Sequence, residues 1–119
     1  MFAKDIIFIV DEVQTGIGRT GKFFAFEHYG IEPDIVTSAK ALGGGVPISA
    51  ILAKDFVASA FSPGAHGTTF GGNPFCTCAA LATLDIIENE ALVENSADVG
   101  SYFINCLSKN IGDYCTEIR

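Results

Sequence analysis

A chain of 119 residues is enough for one domain and short for two. Fourteen acidic against seven basic residues leave a net charge of −7, which argues against a nucleic-acid surface or an anionic-membrane surface. Only 18 % of residues are charged and 49 % are apolar, against roughly 25 % charged in an ordinary soluble domain, so the chain reads as an internal piece of a larger body with faces covered by further chain or a partner.

Along the chain, residues 5–11 read as a strand buried on both faces, since Ile6-Ile7-Phe8-Ile9-Val10 is a continuous β-branched run. Residues 12–21 form a polar, glycine-rich loop, and Lys22 to His28 has helical composition with Gly30 as its stop. Pro33 and Asp34 lead into a second buried strand over 34–39. A crossover of this length makes these two strands parallel neighbours. The strand from Ile48 to Ala53 follows after only a short glycine turn, which permits an antiparallel neighbour alone, so the sheet is mixed. Lys54 to Phe61 reads as a short helix.

No charged residue occurs from Phe56 to Leu84, but Pro63, Gly64, Gly67, Gly71, Gly72, Asn73 and Pro74 interrupt the stretch, so it is no membrane span. Residues 62–73 form a long loop, of a length that is usually functional in a compact domain. Pro74 opens a helix with Asn73 as cap, running to about Glu90. A second helix runs from about Leu92 to Lys109 and stops at Gly112. Tyr114 to Arg119 reads as the start of another strand. The first residues, Met1-Phe2-Ala3-Lys4-Asp5, lack a signal peptide's apolar core.

Four cysteines are present. Cys76 and Cys78 lie in an apolar helical run, where neighbours two apart do not share a face, so they read as core residues and no metal site is expected. Free thiols without a secretory signal fit a cytoplasmic protein.

Two residues stand at strand ends where solvation does not explain them. Lys40 follows a buried strand and precedes Ala41-Leu42-Gly43-Gly44-Gly45-Val46-Pro47, a turn expected neither to continue a strand nor to start a helix. Burial lowers a lysine's pKa and makes its amine nucleophilic, which is the requirement for a Schiff base with a carbonyl cofactor. Asp11 ends the first strand, at the carboxyl edge where open α/β sheets bind ligands. A carboxylate there keeps a pyridine nitrogen protonated and makes the ring an electron sink. An acid and an amine so placed are what pyridoxal phosphate (PLP) chemistry needs. The loop His66-Gly67-Thr68-Thr69-Phe70-Gly71-Gly72-Asn73, before a helix N-terminus, suits a phosphate. His66 reads as a hydrogen-bonded loop residue. Gly16, Gly18 and Gly21 mimic a dinucleotide fingerprint but do not directly follow the strand.

The strings Asp11-Glu12-Val13-Gln14-Thr15-Gly16-Ile17-Gly18-Arg19-Thr20-Gly21, Pro33-Asp34-Ile35 through Lys40-Ala41-Leu42-Gly43-Gly44-Gly45, and Thr68-Thr69-Phe70-Gly71-Gly72-Asn73-Pro74 resemble the class III (ω-type) aminotransferases. The segment Pro63-Gly64-Ala65-His66-Gly67-Thr68-Thr69-Phe70 is most similar to their acetylornithine branch, with the ornithine branch close behind. The resemblance implies an α/β fold: part of the large domain of PLP fold type I, a mixed, mostly parallel sheet with helices on both faces, spanning 1–119, with the C-terminal small domain absent. It implies PLP as cofactor and transamination of N-acetylornithine with 2-oxoglutarate. Another ω-aminotransferase, an aminomutase or decarboxylase on the same scaffold, or an inactive truncated product are the alternatives. Lys40 resembles the Schiff-base lysine and Asp11 the pyridinium partner. Val13 resembles the residue packing on the ring, and Gln14 the donor to its 3′-oxygen. Thr69 resembles the threonine that reaches the cofactor phosphate of the neighbouring subunit, which implies a homodimer. Glu12 and Arg19 belong to the motif without an assigned role. The family's main phosphate loop and substrate-carboxylate arginine have no counterpart in this sequence.

Overall fold

Three short strands form where apolar and β-branched residues run together: β1 Ile9–Asp11, β2 Ile35–Ser38 and β3 Ala50–Ala53. The computed structural model describes residues 6–118. β1 pairs parallel with β2, and β2 pairs antiparallel with β3, in the order β1-β2-β3. This is the mixed sheet expected from one long crossover and one short turn. The parallel register runs from Ile9 opposite Ile35 to Asp11 opposite Thr37.

The strands are shorter than the sequence suggests. Residues 6–8 precede β1 without strand structure, and Asp5 lies outside the described residues. β1 is not buried on both faces, because it is the sheet's edge here and Ile9 is exposed. Ile48 and Ser49 precede β3 rather than belonging to it.

The first expected helix is instead a 3₁₀ segment, Ala25–Tyr29, ended by Gly30 in the left-handed region with φ 60°. Aromatic residues in and before it form helix poorly; Phe24 stacks on Phe26 and takes the edge of Phe23. A second 3₁₀ segment, Lys40–Gly43, follows β2 almost at once. The turn after β2 therefore opens as a helical turn, contrary to expectation, and Gly44 ends it. α1 is a single turn, Asp55–Ala58, shorter than the expected 54–61.

α2 is Pro74–Asn89. Asn73 caps it as predicted, its side-chain oxygen accepting from the Cys76 N–H at 3.0 Å, with Pro74 at the first position. α3 spans Leu92–Ile111. Gly112–Tyr114 is a further 3₁₀ turn, and residues 115–118 form no strand. The terminal strand is thus not found among the described residues, and Arg119 lies outside them. Cys76 is buried as expected of a core residue, but Cys78 is exposed, contrary to expectation, because two positions apart on a helix they face different sides.

The core lies between loop and helix rather than between sheet and helix. Ile17, Leu42 and Ala80 are its buried members, with Phe24, Ala41, Ile48, Leu84 and Ile87 packed around them. α2 packs on the 3₁₀ turn after β2, and α3 packs on α2. A radius of gyration of 17.7 Å, against roughly 13.5 Å for a compact domain of this length, shows an open body. Phe70, Phe75, Tyr102 and Phe103 are exposed accordingly.

One polar tie fixes the start of β2. Asp34 Oδ2 accepts from the Phe8 N–H at 2.9 Å, and Lys54 Nζ lies 3.3 Å from Asp34 Oδ1 and 3.5 Å from Glu32. The Phe8 N–H above all, and Lys54 after it, hold the Asp34 carboxyl below its usual 3.8. The Asp34 bond raises Lys54 above 10.5. A depressed acid contributes stability above 3.8 that is lost as pH falls through its folded value; a raised base contributes stability below 10.5 that is lost as pH climbs through its own. Asp34→Asn should therefore lower the melting temperature at neutral pH, the gap from wild type closing in acid as the native carboxyl protonates. Melting curves across the acid range check this; a gap independent of pH would contradict it.

Candidate active site

The carboxyl ends of β1 and β2 lie side by side because the two strands are parallel, and Asp11, Val13, Gln14 and Lys40 gather there. Asp11 is the last residue of β1. Its Oδ1 accepts twice: from the Val13 N–H at 3.0 Å and from the Thr37 hydroxyl at 3.0 Å. Oδ2 is left without a protein donor among the described residues. The Val13 N–H first, then the Thr37 hydroxyl, and to a smaller extent the charge of Lys40, hold the Asp11 carboxyl below its usual 3.8. The effect of Lys40 places amine and carboxylate within electrostatic reach.

Lys40 opens the turn after β2. It is exposed, contrary to the burial expected from sequence. The strand before it is buried only on the face of Val36 and Ser38, and the side chain leaves the sheet at its open end. Its backbone has φ 45°, in the left-handed region that costs a side-chain-bearing residue roughly 1–2 kcal/mol. Such strain points to a functional constraint on the position. The turn's tightness has a steric cause in Gly44, which has φ 59° and where a Cβ would meet Thr83 Oγ1 of α2 at 2.5 Å.

The Lys40 amine donates to Gln14 Oε1 at 2.7 Å. With its oxygen so engaged, the Gln14 amide keeps its NH₂ free to donate to a ligand. Val13 is half-buried beside Asp11. Lys40 also lines an open groove of about 720 Å³ with Pro47, Ser49, Thr68, Phe70 and Gly72. The 62–73 loop thus shares this groove with the lysine. Thr69 sits in that loop and is exposed, but its neighbours Thr68 and Phe70 line the groove and Thr69 does not. His66 lies tilted against Phe61, ring centroids 5.4 Å apart, and does not line the groove. No group of three or more metal-ligating side chains occurs among the described residues.

Two participants escaped the sequence reading. Thr37 faces Asp11 because the register pairs them. Glu12, with no assigned role, is 1 % exposed. Neither announces itself in sequence, since a strand threonine and a loop glutamate are ordinary.

Comparison with known proteins gives the family. The family described as Aminotransferase class-III matches residues 2–119. The chain belongs to the class III aminotransferases. Among relatives of this family, acetylornithine aminotransferase of Archaeoglobus fulgidus is 58 % identical over 104 residues, covering 87 % of this chain and 28 % of the relative. Ornithine aminotransferase of Oceanobacillus iheyensis is 53 % identical over 117 residues, covering 98 % and 29 %. A solved ornithine aminotransferase of Toxoplasma gondii, with PLP at partial occupancy in its active site, superposes with TM-score 0.89 at 39 % identity, over 97 % of this chain and 28 % of that one. The chain therefore spans under a third of the length of these class III aminotransferases.

Removing the Thr37 hydroxyl should let Asp11 titrate closer to 3.8. Asp11 is a depressed acid, so its stabilisation is present above that value and lost below it. Thr37→Val should raise the Asp11 titration midpoint and Thr37→Ser should restore it, as read by carboxyl-carbon NMR. Equal midpoints in all three proteins would contradict the assignment.

Proposed function

We propose that this chain supplies the cofactor-binding edge of a PLP-dependent aminotransferase. The observation that carries the reading is the joint placement of the Lys40 amine, the Gln14 amide and the half-engaged Asp11 carboxylate at one sheet edge. The residues fit the cofactor. Lys40 is the attachment point for its aldehyde, Asp11 Oδ2 is available for its ring nitrogen, and the free NH₂ of Gln14 is available for its 3′-oxygen. Val13 is placed next to Asp11, where it can pack on the ring. When bound, PLP supplies an electron sink that stabilises negative charge at the substrate Cα.

The protein's own contribution is positional and electrostatic. Asp11, held ionised by two donors on its other oxygen, keeps a proton on the ring nitrogen. Lys40 would hold the cofactor's aldehyde, and its amine would be the base placed to move a proton at the substrate Cα. Gln14 holds the lysine's amine near that path, and the strained turn fixes where its stem starts.

Similarity to acetylornithine aminotransferases supports N-acetylornithine as amino donor and 2-oxoglutarate as acceptor. Ornithine is the second reading, since a relative with that name is 53 % identical. Thr69, outside the Lys40 groove, would serve a neighbouring subunit's cofactor in a homodimer. Among the described residues no helix is long and apolar enough to cross a membrane. A cytoplasmic site of action rests on the free thiols.

Borohydride reduction of the intact protein with PLP, followed by peptide mass mapping, tests the attachment. Label should concentrate on Lys40 rather than Lys4, Lys22, Lys54 or Lys109; an even spread, or none, overturns the reading. Lys40→Ala should abolish the trapped linkage and reduce glutamate formation by several orders of magnitude, on the order of the loss of a covalent catalytic group. Asp11→Ala should keep the linkage while slowing Cα deprotonation. Comparing N-acetylornithine with ornithine by kcat/KM separates the two substrate readings.

A further inference from the structure

Glu12 follows Asp11 directly but points the other way, into the protein. It is 1 % exposed, the lowest value of any charged side chain among the described residues. Its Oε2 accepts from the Thr15 hydroxyl, and its Oε1 accepts from the Phe26 N–H at 2.8 Å. Its backbone is tied as well: the N–H donates to the Thr37 carbonyl at 2.9 Å, and the carbonyl accepts from the Gly16 N–H at 2.9 Å. A Cβ on Gly16 would meet the Glu12 carbonyl at 2.8 Å, so position 16 is kept bare for this approach.

The consequence falls on Gln14. Its two neighbours are each pinned by a carboxyl group: Val13 through its N–H by Asp11, Thr15 through its hydroxyl by Glu12. Gln14 itself is exposed, and its one side-chain bond runs to the Lys40 amine. Its position is thus set by the backbone on either side. The far end of the same loop is held independently, by Ser96 donating to the Arg19 carbonyl at 3.1 Å and by Gly18 and Gly21 against Val93 and Ala97 of α3. That anchoring leaves residues 13–15 dependent on the two acids.

We infer that Glu12 is a positioning residue whose buried carboxyl, through Thr15, holds the Gln14 amide against the Lys40 amine. The inference rests on the cofactor reading above for its consequence in chemistry, but its structural half stands without it. Glu12→Gln can keep both bonds, its oxygen accepting from Phe26 and its NH₂ donating to the Thr15 oxygen. Thr15→Val removes only the loop-side bond at nearly constant shape.

The decisive experiment is a double-mutant cycle between positions 15 and 14 in the intact protein, read by the rate of borohydride-trapped PLP label at Lys40. Thr15→Val should slow labelling about ten-fold, the effect of one hydrogen bond to a carboxyl group. Gln14→Ala should slow it comparably, and Thr15→Val in the Gln14→Ala background should add nothing further. Glu12→Gln should label within about two-fold of wild type, whereas Glu12→Ala should match Thr15→Val. Independent, multiplying losses at 14 and 15, or native labelling in Thr15→Val, would overturn the inference. Amide hydrogen exchange of the cofactor-free protein separates its failure from that of the cofactor reading. If wild type gives no selective Lys40 label, the cofactor reading fails. Faster exchange at residues 13–15 in Thr15→Val then still upholds the hold of Glu12 on the loop, and unchanged exchange overturns it.

Discussion

The parallel register of β1 on β2 is the constraint on which the rest of the site depends. Phe8 meets Asp34, Asp11 meets Thr37 and Gln14 meets Lys40, each pair separated by the same 26 residues. One offset therefore places a structural tie, the clamp on the acid and the bond to the amine. A slip of one residue would turn every side chain of the strand to the opposite face and would break all three together. The three bonds also share a single loop closure, whose entropy is roughly 3 kcal/mol on the logarithmic scaling. Once the first forms, the others add little further chain restriction.

The two consecutive acids after β1 divide the work by direction. Asp11 faces the open edge of the sheet and keeps one oxygen free; Glu12 faces inward and uses both oxygens on the protein. A buried carboxyl is costly unless hydrogen-bonded, and Glu12 meets that condition with one hydroxyl and one backbone donor. Burial thus makes one acid a fixture of the loop, and exposure leaves its neighbour available to a ligand.

Much of this was legible in the residues. The apolar runs gave the strands, the lengths between them gave the parallel and antiparallel pairings, and Asn73-Pro74 marked a helix start that the structure keeps. Asp11 and Lys40 could be singled out because the first ends a strand and the second follows one. Thr37 could not, because its importance lies in a cross-strand register that sequence alone does not state. Glu12 was unreadable for a different reason: a glutamate in a polar loop looks solvated, and only the fold of residues 24–26 over it removes the water. The exposure of Lys40 also escaped, since apolar residues before a lysine show that its strand is buried and not that the amine is. The final segment reads as β-prone at Tyr114 and Ile118, yet residues 115–118 have no partner strand among the described residues, and propensity without a partner does not make a strand.

Position 40 is where the demands of the backbone and of the proposed reaction diverge. A left-handed residue wedged between a strand and a helix-bearing turn is best served by glycine, which adopts that conformation without steric cost. The same position carries the longest flexible amine in the protein alphabet. Any procedure that ranks substitutions by folding stability alone would favour glycine there, and would erase the proposed attachment point while improving the fold. The residue is better understood as a standing mechanical load, carried by the close seat of Gly44 on Thr83 and by the strand behind it.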